Sequence, residues 1–107
     1  MAIVPVLGWV FTGLLAVLVV ACVTAARGIV PVNSLFGVRT AAVMRSPAAW
    51  RAGHAVGILP SAVAFVLALG FSLVGLAVSA VSVGAIVVFA GGVLWVIVAS
   101  GRAASRV

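Results

Sequence analysis

Residues 1–26 and 52–101 contain no Arg, Lys, Asp or Glu; the only titratable polar side chain there besides Cys22 is His54. A soluble domain carries about a quarter charged residues. This chain is 6% charged and 67% hydrophobic, with no Asp, Glu or Lys at all. A surface so poor in charge aggregates in water, so the solvent these stretches require is lipid. A helix crosses the hydrocarbon core with about 20 apolar residues. The first stretch therefore holds one span and the second holds two, divided at the turn-like cluster Ser79-Ala80-Val81-Ser82.

Backbone groups in lipid must bond within their own segment or around a closed barrel. A barrel needs at least about eight strands with alternating polarity, and these apolar runs are continuous. The expected fold is an all-α membrane protein of three transmembrane helices, a single domain over 1–107. Its spans are expected at 3–25, 55–77 and 83–100, with a cytoplasmic loop or short interfacial helix over 27–54.

Arginines orient such a chain, because short cytoplasmic loops collect them. The first loop carries Arg27, Arg39, Arg45 and Arg51, the second carries none, and the tail carries Arg102 and Arg106. Three spans with the N-terminus outside place all six on one side. The expected location is a bacterial inner or plasma membrane, with the C-terminus cytoplasmic. Arg27, Arg45, Arg51 and Arg102 are expected at lipid headgroups. Residues 1–26 are expected to be a span rather than a cleaved signal, because Met1–Val10 lacks a basic segment.

Small residues recur at helical spacing within the spans: Ala64, Ala68 and Ser72; Gly75 and Ser79; Ala80 and Gly84; and the pair Gly91-Gly92. Small faces let helix backbones approach in lipid, and they leave a homo-oligomer open. Pro60 is expected either to kink the second span or to mark its first turns. Trp9, Trp50 and Trp95 fall near expected span ends.

The polar chemistry lies in the loop. Pro31-Val32-Asn33-Ser34 opens it, with Asn33 or Ser34 as a cap for a short helix. Gly37 interrupts Leu35-Phe36 where the backbone needs an unusual conformation, and Arg39-Thr40 follows. Ser46-Pro47 is a helix start, with Ser as N-cap and Pro at the first helical position. Trp50 and His54, four apart, share a face, with His54 expected as an interfacial ring beside Trp50.

These residues resemble the SdpI-like family of small bacterial membrane proteins. The resemblance rests on Asn33-Ser34-Leu35-Phe36-Gly37-Val38-Arg39-Thr40, on Ser46-Pro47-Ala48-Ala49-Trp50, and on His54 and Gly57. The family pattern has an Asn, a Gly-aromatic-Arg-Thr core, a Ser followed by Trp, and an Asn or His one turn later. Val38, Val43 and Ala55 depart from it, standing where an aromatic, a hydroxyl and a basic residue are frequent. The resemblance implies immunity to a peptide toxin or related envelope signalling. The partner would be the toxin or a cytoplasmic regulator, and Asn33, Gly37, Arg39, Thr40, Ser46, Trp50 and His54 would be the motif residues.

Other classes fit poorly. Acid/base catalysis and proton-coupled export recruit carboxylates, and this chain has none. One His and one Cys make neither a nucleophile pair nor a metal site, so no enzyme activity, metal or cofactor is expected. Dispersed, membrane-flanking arginines do not suggest nucleic acid. An assembly subunit of a larger membrane complex is the remaining alternative.

Overall fold

The computed structural model describes residues 3–33 and 35–107. Among these, α1 (Ile3–Ala26), α3 (Pro47–Val74) and α4 (Val83–Ala104) are the long helices. A one-turn helix α2 (Ala41–Met44) lies in the first loop, and a 3₁₀ turn, Ser79–Ser82, leads into α4. All three long helices are long and apolar enough to cross a membrane, α4 together with its leading turn. The bundle measures 46 × 21 × 18 Å. Its long dimension matches the roughly 40–45 Å of a bilayer with its headgroups.

The bundle is built for lipid: small and hydroxyl side chains lie inside and large apolar ones outside. Ala64, Ala68, Ser61, Ser72, Thr12 and Ser100 are buried, whereas Val17, Val20, Leu59, Val66, Val87 and Leu94 are exposed. The Ala64/Ala68/Ser72 ladder faces inward as its spacing implied. Gly92 sits so close to Ala64 that a Cβ on it would lie 2.5 Å from the Ala64 Cβ. Its neighbour Gly91 meets nothing within 4 Å, so only one of the pair holds the helices together. Gly92→Val is expected to cost about 2 kcal/mol by overpacking, whereas Gly91→Ala is expected near wild type. Denaturation midpoints in detergent would check this, and equal midpoints would refute the asymmetry.

On the α1 side, Gly8 packs against Ser72 and Ser82, and Gly57 lies against the Cys22 sulfur. Thr12 and Ser72 share a buried hydroxyl hydrogen bond of 2.9 Å. A hydroxyl pair between helices fixes their rotation, because in lipid the unpaired groups have few other partners. Phe11 of α1 stacks on Phe89 of α4 at 4.5 Å. Both α1 and α4 pack more extensively on α3 than on each other. Pro60 lies in the interior of α3 rather than in its first turns. Trp9 and Trp95 are on the outer surface, and Trp50 is buried.

Candidate functional site

The motif residues that make up the candidate site lie in the loop between α1 and α3 and in the first turns of α3. α1 does not run on to Pro31; it stops at Ala26 on a glycine device. Gly28 adopts φ +77°, its N–H bonds to Ala25 O, and the Ile29 N–H bonds to Thr24 O. This is the paired bonding of a helix closed by a left-handed residue. Asn33 then organises the next turn. Its Oδ1 accepts from the Leu35 and Phe36 N–H groups at 2.9 and 2.7 Å, and its Nδ2 donates to Pro31 O. Ser34, the other expected cap, lies outside the described residues.

From there the chain dips into the bundle. His54 lies seven residues past Pro47, about 10 Å along the α3 axis. Its ring receives the loop at that depth. His54 Nδ1–H donates to Trp50 O at 2.7 Å, and Nε2 accepts the Val38 N–H at 2.9 Å. Together the two bonds assign the neutral, Nδ1-protonated tautomer. Trp50, 4.2 Å away by ring centroid, donates its indole N–H to Val30 O at 2.9 Å. The expected Trp–His face therefore exists, but it points inward. His54 is 0% exposed, so its ring is enclosed by protein rather than open to the surroundings of the bundle. Its two nitrogens satisfy backbone groups that lipid could not.

Gly37 closes the latch. It has φ +100°, and a Cβ there would lie 2.7 Å from His54 Nε2 and 3.1 Å from the Trp50 ring. Thr40 caps α2 by accepting the Val43 N–H at a long 3.5 Å. Ser46 caps α3, accepting the Ala49 N–H at 3.0 Å with Pro47 first in the helix. Val38 and Val43, two of the three positions that depart from the family pattern, are buried in one cluster with Trp50, Val96 and Ala104. Val43 also touches Gly53 of α3, which leaves no room for a Cβ there.

The structure thus divides the expected site residues. Gly37, Trp50 and His54 are brought together, while Asn33, Thr40 and Ser46 brace turns and helix ends around them. Arg39 is exposed beside this latch. The arginines expected at headgroups, Arg27, Arg45, Arg51 and Arg102, are all exposed. Arg45 also reaches across to α4, its Nη2 donating to Ala104 O at 2.7 Å and to the Val107 main-chain oxygen. A cation at a helix C-terminus opposes the negative end of its dipole.

Sequence reasoning missed three contributors. Val30 and Val38 act through backbone atoms, which side-chain identity does not reveal. Leu35 is 89% exposed, and its place next to a polar Asn-Ser turn was the available signal.

A family model described as the SdpI/YfhL protein family matches residues 29–101, from the start of the loop to the last turn of α4. No curated protein and no solved structure matches the chain significantly.

Proposed function

The chain belongs to the SdpI/YfhL protein family, and from that premise we propose that it protects a bacterial plasma membrane against a membrane-active peptide toxin, or signals its presence. It does so by docking a partner at the Arg39 loop. In this reading the N-terminus is outside, and the loop and C-terminus face the cytoplasm, as the arginine distribution favours. The supporting observation is the division of labour in the motif. Gly37, Trp50 and His54 hold the loop against the bundle, while Leu35 and Arg39 are exposed on its outside. A mount with an apolar and a cationic tip suits an acidic regulator or a toxin carrying a free carboxylate.

The test is gene deletion followed by challenge with a broad panel of envelope-active peptides and neighbouring producer strains. Deletion is expected to sensitise the cells. Arg102→Ala is expected to restore protection, and Arg39→Ala to restore about a tenth or less, as loss of one charge-assisted contact implies. Unchanged sensitivity across the panel rejects protection, and equal rescue by the two variants rejects the Arg39 loop as the docking surface.

A second reading, an assembly subunit of a larger membrane complex, draws on the uncovered strip of α3 and α4 around Val63, Leu67, Gly91 and Trp95. Gentle extraction followed by native purification separates the two. Recovery of the chain alone or as a homo-oligomer counts against the subunit reading.

A further inference from the structure

An open lateral groove of about 600 Å³ runs between α1 and α4 beneath the loop. Leu14 and Leu18 line one wall, Phe89, Val93 and Ile97 line the other, and Arg39 and Thr40 stand at the loop end. We propose that this groove seats one acyl chain of an anionic phospholipid whose phosphate is held by the Arg39 guanidinium. The inference does not depend on the protective role.

Three observations carry it. The first is shape. The loop wedges Val38 into the core cluster shared with Val96, and α1 and α4 pack less closely on each other than on α3. An apolar gap open to the bilayer gains dispersion contacts when a chain fills it and forfeits them when empty. From Phe89 to Ile97 the wall extends about 12 Å, room for a substantial part of one acyl tail.

The second is depth. α3 has 28 residues, about 42 Å, against a hydrocarbon core of about 30 Å. Each end therefore projects about 6 Å beyond the core. The latch, about 10 Å from the loop end of α3, lies just inside the boundary between hydrocarbon and headgroups. A long arginine side chain at that level carries its charge to the phosphates, and the groove extends from there into the acyl region.

The third is charge. The chain carries six arginines and no Asp or Glu, so the loop end of the groove, where Arg39 stands, is cationic. Phosphate is the anion abundant at this depth, and the planar guanidinium matches its geometry. A cationic amphipathic peptide, the rival occupant, would meet Arg39 and a net charge of +6 as repulsion.

The experiment uses the full chain in vesicles of mixed phosphatidylethanolamine and phosphatidylglycerol, with a trace of phosphatidylglycerol carrying a photoactivatable group in one acyl chain. After illumination, crosslinks are mapped by mass spectrometry. They are expected to concentrate on Leu14, Leu18, Phe89 and Val93 over the more exposed Leu59 and Val66 of α3. Val93→Trp, which fills the groove, is expected to abolish the concentration. Arg39→Gln is expected to reduce it about fivefold, and the same probe on phosphatidylethanolamine should label the groove more weakly.

Even labelling around the bundle overturns the proposal without recourse to any variant. So does unchanged groove labelling in Val93→Trp, or equal labelling by the two headgroups. Displacement of the lipid crosslinks by a synthetic Leu/Lys amphipathic peptide assigns the groove to peptides and likewise overturns it.

Discussion

Gly37→Ala is expected to destabilise the protein by about 3 kcal/mol and to release the loop from the bundle. Two costs combine. At φ +100° any L side chain is strained, which costs on the order of 1–3 kcal/mol. The added methyl also lands 2.7 Å from His54 Nε2 and 3.1 Å from the Trp50 ring, where overpacking costs about 1–3 kcal/mol. Neither ring can yield cheaply, because each is held by a hydrogen bond to backbone. The measurement is the unfolding midpoint in detergent together with protease cleavage between Pro31 and Ser46. A midpoint within error of wild type and an uncut loop would show that the latch is not as tight as these distances imply.

Trp50→Ala is expected to be the most damaging truncation, costing about 4 kcal/mol. Trp50 is 1% exposed and is the largest side chain in the cluster that joins the loop to α3 and α4. Trp50→Phe keeps most of the packing and drops the bond from the indole nitrogen to Val30 O. It is expected to cost only about 1 kcal/mol beyond the change in size. Comparing the two separates packing from hydrogen bonding. If Phe proves as harmful as Ala, the indole bond rather than the buried area holds the loop.

The two variants also mark where sequence reasoning reached its limit. Lipid leaves a 107-residue apolar chain almost no choice but helices, so three spans and their divider near Ser79–Ser82 were legible. So was the start of α3, because Ser-Pro is a local signal complete within a few residues. The four-residue spacing of Trp50 and His54 correctly put them on one face. It did not say which way that face turns. The inward answer depends on Val30 and Val38, contacts separated by 20 and 16 residues in sequence and made through backbone atoms. The bonds of Arg45 were hidden for the same reason: its partners are main-chain oxygens of Ala104, at the C-terminal end of α4, and of Val107, 59 and 62 residues away. Gly28 could have been read as the α1 stop, since Gly just past an apolar run is a recognised ending.

The latch has a consequence for the order in which the chain is made. The loop lies early in the chain, yet its buried residues Val38 and Val43 share their cluster with Val96 and Ala104 of α4, and Arg45 completes its bonding on the C-terminal turn of that helix. Chains emerge from the ribosome N-terminus first, so α1, the loop and α3 are all synthesised before α4 exists. During that interval Val38 and Val43 lack their partners Val96 and Ala104. The segment that carries the family motif therefore completes its packing only once α4 is in place. A nascent chain stalled before α4 would already hold the latch bonds of Trp50 and His54, whose partners lie on the loop and α3, but would leave Val38, Val43 and Arg45 without their partners on α4.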